Sequence, residues 1–427
     1  MSGSQFQLLK QKRFSPFFIT QALGAFNDNV YKNALFILFA YQLSSGAAED
    51  VGLLINLSAI IFILPFFLFS ATSGQLAEKY PKYLAIRRIK LLEISIMLLA
   101  CVGFYLQSIP FLLLILFLMG LQSTLFGPIK YGILPQYLQE KELVGGNALI
   151  EMGTFLAILI GTIVGGNLIA IDTYGPAIVC VVIVAIAIAG YLSARRIPSA
   201  EAVAPKLTIN WNPVTETWRT FSFMTKNRTV FLSVLGISWF WFFGATILAQ
   251  IPTYAKYTLG GEESVTTLLL TFFSLGIGIG SLVCERLSGR KVEIGLVPLG
   301  AFGMTLFSID LFLANHGTGA LPELSAMEFL KHWSNWRVLI DASLIGAFGG
   351  LFIVPLYALI QQRCDRQYLS RVIAGNNILN AFFMVLSGAM AMILISFNVT
   401  VPEIILITGI LNVLVAIYIF TLVPEFI

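Results

Sequence analysis

The sequence predicts an all-α membrane protein of twelve transmembrane helices, arranged as two six-helix pseudo-symmetric bundles. Three observations predict it. Hydrophobic residues make up 57% of the 427 and charged residues only 11%, against roughly a quarter charged in soluble domains. Apolar runs of about 20 residues, the length a helix needs to cross a bilayer, recur twelve times. Basic residues collect in alternate connections between those runs. The formal net charge of +4 is small and gives no reason to invoke nucleic acid. Cys101, Cys180, Cys284 and Cys364 are scattered and form neither a disulfide framework nor metal-ligand spacing. No cofactor and no metal site are implied.

In chain order, Met1 to Arg13 is a basic tail with no small-residue cleavage site, expected in the cytoplasm. Spans follow near 15–42, 52–76, 88–107, 109–129, 144–171, 174–194, 229–252, 264–284, 293–313, 337–361, 372–397 and 403–423. With the N-terminus inside, the inner connections hold 22 of the 26 basic residues. Lys256, Lys331 and Arg337 fall outside and Lys32 within a span. That bias predicts both termini on the cytoplasmic side. The longest inner stretch, Arg195 to Arg228, contains Pro198, Pro205 and Pro213 and divides the chain. The expected organisation is residues 1–194 as the first bundle, 195–228 as a linker and 229–427 as the second bundle. Within the linker, Asn212-Pro213 reads as a helix cap with Pro at the first helical position, opening a helix on the inner membrane surface. Outside, Asn315 to Trp336 carries His316, His332, Trp333 and Trp336, which suit an interfacial aromatic belt.

The halves repeat. At an offset of about 226, Gly120, Leu125, Phe126, Tyr131 and Gln136 match Gly346, Leu351, Phe352, Tyr357 and Gln362. At an offset of 229, Gly146 and Asn147 match Gly375 and Asn376 at the start of spans five and eleven.

Polar residues inside spans are expensive and functional by default. Span one holds Asn27, Asp28, Asn29, Lys32 and Asn33, and Gln21, Gly24, Asp28, Tyr31, Lys32 and Leu35 recur at helical steps. These predict one polar arc turned away from lipid. Glu151 lies about two turns inside span five, and its repeat partner is Asn380, so packing symmetry does not require its charge; it is expected to face a cavity as a partner of Asp28. Gly161 and Gly165, four apart, allow close helix approach. Glu93 is expected to pair with Arg88 or Lys90, and Asp310 and Asp341 to be solvated helix-end residues. After span two, Gly74-Gln75-Leu76-Ala77-Glu78-Lys79 is followed by Arg87 and Arg88, and after span eight Gly280 is followed by Glu285, Arg286, Arg290 and Lys291. A glycine, an acid and trailing bases at equivalent cytoplasmic helix ends suit an ion-pair gate. The expected gate residues are Gly74, Glu78, Lys79, Arg87, Glu285 and Arg286.

Those paired loops resemble the signature of the major facilitator superfamily. Phe126-Gly127-Pro128-Ile129-Lys130-Tyr131, the span-one arc and Gly146-Asn147-Ala148-Leu149-Ile150-Glu151 resemble its lysophospholipid transporter family. The likeness extends to the transporter portion of larger fusions with an acyltransferase and an acyl-activating ligase. Span seven departs from some relatives, since nothing between Arg228 and Lys256 is ionisable. The resemblance implies a flippase that moves lysophosphatidylethanolamine and related lysolipids from the outer to the inner leaflet of a bacterial inner membrane. Re-acylation would follow there, in functional coupling to the acyltransferase and ligase, with a monomer expected. The substrate residues implied are Asp28, Asn29, Lys32, Asn27, Glu151, Lys130, Tyr131, Asn147, Asn376 and Asn380. A zwitterionic headgroup needs both signs, with Asp28 or Glu151 for the ammonium and Lys32 or Lys130 for the phosphate; the 35 Phe supply apolar wall for an acyl chain. The alternative is a proton-coupled exporter of amphipathic drugs. An enzyme is disfavoured, because neither His316 nor His332 is followed four or five residues later by an acid.

Overall fold

The computed structural model describes residues 5–42, 48–171, 173–289, 291–314 and 324–422. Arg290, His316 and the last five residues, Val423 to Ile427, lie outside the described residues. Among the described residues, twelve long helices stand where the apolar runs predict them. They are α1 (Ser15–Gln42), α2 (Ala48–Lys79), α3 (Lys82–Leu106), α4 (Ile109–Gly132), α6 (Leu143–Ile169), α7 (Gly175–Ala194), α9 (Arg228–Thr253), α10 (Glu263–Leu287), α11 (Leu296–Leu313), α13 (Trp333–Arg363), α14 (Leu369–Ser396) and α15 (Val401–Leu422). Short helices α5 (Leu134–Tyr137), α8 (Pro213–Thr225) and α12 (Ala326–Lys331) intervene. Among the described residues, eleven helices are long and apolar enough to cross a membrane. The twelfth, α1, has the length, but its cluster of Asn, Asp and Lys lowers its hydropathy. Span four runs on through Pro128 to Gly132, beyond the expected end at 129. Proline is tolerated inside membrane helices because neighbouring groups re-satisfy the freed backbone.

The chain forms two compact units. Unit 1 comprises residues 1–139, 157–226 and 364–378; unit 2 comprises 140–156, 227–363 and 379–427. The boundary therefore passes through α6 and α14. The linker, expected as a separate segment, packs within unit 1 together with the start of α14.

The core of unit 1 gathers Val30, Tyr31, Leu35, Ile96, Met97, Leu112, Ile115, Val179 and Ile183 from α1, α3, α4 and α7. Gly161 on α6 lies so close to α1 that an added Cβ would sit 2.6 Å from the Phe26 carbonyl oxygen, the close approach expected from the glycine spacing. In unit 2, α13 is the central helix and packs on α9, α10 and α11. The repeat is visible in one pair of contacts. Gly120 on α4 meets the Phe62 carbonyl of α2, and Gly346 on α13 meets the Phe273 carbonyl of α10. In both places a side chain would collide with backbone, so glycine is required at equivalent positions.

α8 begins as the sequence predicts. The Asn212 side chain accepts hydrogen bonds from the amides of Val214 at 3.0 Å and Thr215 at 3.2 Å, satisfying two amides that have no partner within the helix. Its Glu216, Thr220 and Met224 are buried while Trp218 is 80% exposed.

Candidate functional site

α1 does not present its polar residues as one arc. Successive residues on a helix point about 100° apart, and Asn27, Asp28 and Asn29 make three separate contacts. Asn27 donates to Glu93 Oε1 on α3 at 3.1 Å. Asp28 Oδ2 accepts the Ser123 hydroxyl of α4 at 2.7 Å. Asn29 is buried and donates to its own helix at the Ala25 carbonyl, while Asn33 bridges to Thr162 on α6 at 3.1 Å. The Lys32 ammonium stands 4.5 Å from the centre of the Phe62 ring on α2, a cation–π contact. Tyr31 turns into the core and donates to the Leu112 carbonyl.

These contacts join a larger buried network. Lys90 donates to Glu93 Oε2 at 2.6 Å, and Gln122 donates to the same oxygen at 3.1 Å. Gln122 Oε1 lies 3.3 Å from the Ser123 hydroxyl, which closes the chain back to Asp28. Lys90 and Glu93 are both buried. Glu93 therefore pairs with Lys90 and not with Arg88, and Lys90, counted in the sequence as a loop base, is an internal cation. A buried ion pair holds only when further hydrogen bonds satisfy its remaining atoms. Asn27 and Gln122 provide them. Glu93 is thus fully engaged, while Asp28, on the same network, keeps partial exposure. Gln122 and Ser123 escaped sequence reasoning, although Gln122-Ser123-Thr124 is a polar triplet within an apolar span and was the available signal.

Lys130 and Tyr131 lie two turns along α4 from Ser123, and the Lys130 ammonium is 5.1 Å from the Tyr131 ring centre. The adjacent Gly132 meets Ser370 and Lys82, so this pair belongs to the end of unit 1 that holds the expected gate. There Glu78 is sealed from solvent and accepts two bonds from Arg371: Nε to Oε2 at 2.7 Å and the backbone amide to Oε1 at 3.2 Å. Gly74 lets α14 approach, with an added Cβ only 2.8 Å from Ala374 Cβ and 3.0 Å from Arg371 Cα. The Arg371 guanidinium also covers the rings of Phe223 at 4.4 Å and Tyr368 at 5.0 Å, which stack on each other. Glu78 thus takes its cation from α14, 293 residues away. Arg87 instead donates to the carbonyls of Ala194, Arg195 and Ile197, closing the C-terminal end of α7. Lys79 lies over the Tyr80 ring.

In unit 2, Asn147 and Gln361 exchange amide hydrogen bonds at 2.6 and 3.1 Å. Asn380 accepts the Ser238 hydroxyl at 2.9 Å, and Asn412 accepts the Trp239 indole at 2.7 Å. Glu151 and Glu285 are buried and Arg286 is exposed. Asn376, also buried, falls in unit 1. Asp28 belongs to unit 1 and Glu151 to unit 2. Asp341, expected to be solvated, is buried, because α13 already packs on α9, α10 and α11 within unit 2. His332 ends α12 in extended backbone.

The architecture, the inward-facing charges and the repeated glycine contacts define a membrane transporter built from two related halves. The chain belongs to the Major Facilitator Superfamily, whose family model matches residues 17–326. It is similar to the lysophospholipid transporter LplT of Photorhabdus laumondii, at 28% identity over 84% of this chain and 83% of that protein. It is likewise similar to LplT of Cronobacter sakazakii, at 29% identity over 84% of this chain and 82% of that protein. Among solved structures it superposes on the transporter FucP in its outward conformation, with TM-score 0.71 at 12% identity over 97% of this chain and all of the other. The human organic anion transporter MFSD10 matches with TM-score 0.74 at 11% identity, over 96% of this chain and 99% of the other. At such identities these two likenesses speak for the fold alone.

Proposed function

We propose that the chain is a lysophospholipid flippase that moves lysophosphatidylethanolamine and related lysolipids from the outer to the inner leaflet of a bacterial inner membrane. Both termini face the cytoplasm, transport proceeds by alternating access, and the chain catalyses no reaction itself. The delivered lysolipid is the substrate of an acyltransferase that uses an activated acyl group. The observation that carries this reading is the half-buried Asp28 carboxylate, set on a charged network beside Lys32. Its role follows from contrast with Glu93: Lys90 neutralises that acid and two amides satisfy it further, while Asp28 keeps partial exposure towards a cationic group such as the headgroup ammonium. Lys32, one turn further along α1, meets the phosphate, and the Phe62 ring beneath it holds the ammonium in place. Within unit 2, Glu151 is a candidate substrate acid in its own right, and Asn27 orients the network of unit 1.

The Glu78–Arg371 pair closes the cytoplasmic side and opens when the two groups become hydrated. α8 lies along the inner membrane surface, with Trp218 towards lipid headgroups.

The test is uptake of labelled lysophosphatidylethanolamine by proteoliposomes, followed by loss of albumin extractability. Wild-type protein protects the label and Asp28→Ala does not, at equal incorporation. Efflux of cationic drugs without lysolipid movement would replace this reading with that of a drug exporter.

A further inference from the structure

The linker presents an exposed apolar face on unit 1. α8, at 13 residues, is too short to cross a bilayer, yet Trp211, Val214 and Trp218 are 71%, 76% and 80% exposed. Val214 and Trp218, four apart, share one side of the helix, and Trp211 leads into it. The other side is fastened down. Thr220 and Met224 pack over Gly375 of α14, where an added Cβ would stand 2.8 Å from Thr220 Cγ2 and would collide with Met224 Sδ. Just before the helix, Asn210 and Gln75 of α2 exchange hydrogen bonds at 2.8 and 3.0 Å. α8 is therefore held firmly with its large apolar side chains turned outward.

The exposed charges of α8 have one sign. Glu216 is its only acid and is buried, whereas Arg219 and Lys226, which closes the helix, are exposed. Both flank the stacked rings of Phe223 and Tyr368, whose centres lie 4.6 Å apart. Arg219 stands 5.7 Å from the Phe223 ring, and Lys226 stands 4.8 and 5.1 Å from the two rings. Arg371 meets the same rings but is buried and paired with Glu78. Among the described residues, Arg219 and Lys226 make no ion pair. Cations gathered about one ring pair repel one another, and an anion seated beside the exposed two relieves that repulsion. A free phosphate would satisfy the cations and leave Trp211, Val214 and Trp218 in water. A lipid with an anionic headgroup satisfies both, since aromatic and apolar side chains beside exposed bases suit a helix lying in a headgroup layer.

We propose that α8 and the start of α14 bind the phosphate of an anionic phospholipid, with Arg219 and Lys226 meeting the phosphate beside the Phe223–Tyr368 pair and Trp211, Val214 and Trp218 entering the headgroup layer. The bound lipid is a resident of the membrane and not cargo, because none of these residues belongs to the network around Asp28 and Lys32. The site rests on the reading of α8 as a membrane-surface helix and is independent of lysolipid transport.

Two measurements test it separately. In nanodiscs whose phospholipids carry brominated acyl chains, the emission due to Trp218, read as wild type minus Trp218→Phe, is quenched. Unquenched emission removes α8 from the membrane surface, and the proposal with it. Native mass spectrometry reads selectivity, on purified protein offered equal amounts of phosphatidylglycerol and phosphatidylethanolamine. Wild-type protein retains phosphatidylglycerol in preference. A basic residue near an anionic membrane surface changes binding about fivefold, so R219Q and K226Q each lower that preference about fivefold. R196Q, just past α7 and away from the ring pair, leaves it unchanged. A preference unaltered in both variants, or an equal fall in R196Q, overturns the site while the quenching result keeps α8 on the membrane. A preference abolished by inorganic phosphate reveals a free-anion site and overturns the lipid assignment. Neither measurement reads uptake, so failure of the transporter reading alters neither outcome.

Discussion

In unit 1 the start of α14 is tied by a buried ion pair, Arg371 to Glu78; in unit 2 the start of α6, its counterpart in the repeat, is tied by two amides, Asn147 and Gln361. The same contrast separates the first helices of the halves. α1 carries Asp28 and Lys32 beside the Lys90–Glu93 pair, whereas α9 contributes only neutral donors, Ser238 and Trp239, to the asparagines of α14 and α15. The repeat preserves geometry, down to the glycines that touch a carbonyl, while the chemistry at equivalent places has diverged. An amide pair is stable in either a dry or a wet surrounding. An ion pair costs several kcal/mol per charge to bury and regains that cost on hydration. A junction that opens to water is therefore better built from charges, and unit 1 has ion pairs both at the start of α14 and beside α1.

The largest expected effect follows from removing one charge at the ionic junction. Glu78→Ala leaves Arg371 buried without its acid and costs about 3–5 kcal/mol, measured by denaturant or thermal unfolding in detergent. The Glu78→Ala/Arg371→Ala double variant costs less than the sum of the two singles. Strict additivity of the two would mean that the pair is not an interacting unit.

At the amide junction the cost is smaller. Asn147→Ala strands one buried amide of Gln361 and costs about 1–3 kcal/mol. An effect as large as that of Glu78→Ala would erase the contrast between the units.

The smallest effect concerns pH. Burial raises the Glu216 carboxyl of α8 above its ordinary value, against the lowering pull of Arg219, Arg371 and Asn210. A carboxyl whose folded-state value is raised destabilises the fold only when charged. That penalty is absent in acid and grows as pH rises from the unfolded-state value through the folded one. Glu216→Gln should therefore match wild-type stability in acid and exceed it at neutral pH. A gain of constant size at every pH would locate its origin elsewhere.

Helix positions were legible in the sequence because hydrophobic length is a local property, and so was the Asn212 cap. Glu78 and the polar residues of α1 were legible as residues, since a charge within an apolar run is conspicuous. Their partners were not. Helical phase says which way Asp28 points, but nothing in a single sequence says that Ser123 faces it or that Arg371 meets Glu78 across most of the chain. Lys82 and Lys90 mislead for a related reason: basic residues near an inner helix end read as loop anchors, yet both are buried in unit 1. Asp341 misleads in the opposite sense, since proximity to a helix end suggested solvent where its side of α13 is already buried.

The central claim is that Asp28, on the charged network of unit 1, recognises the headgroup, whereas the neutral Ser238–Asn380 contact of unit 2 does not. It is tested most directly by comparing lysophosphatidylethanolamine uptake of Asp28→Asn and Ser238→Ala side by side, at equal incorporation into liposomes. Loss of a charged contact of about 1.5–3 kcal/mol lowers uptake by Asp28→Asn about ten- to hundredfold, with Ser238→Ala changing it less than about tenfold. Full activity in Asp28→Asn, or equal loss in the two variants, would contradict the claim.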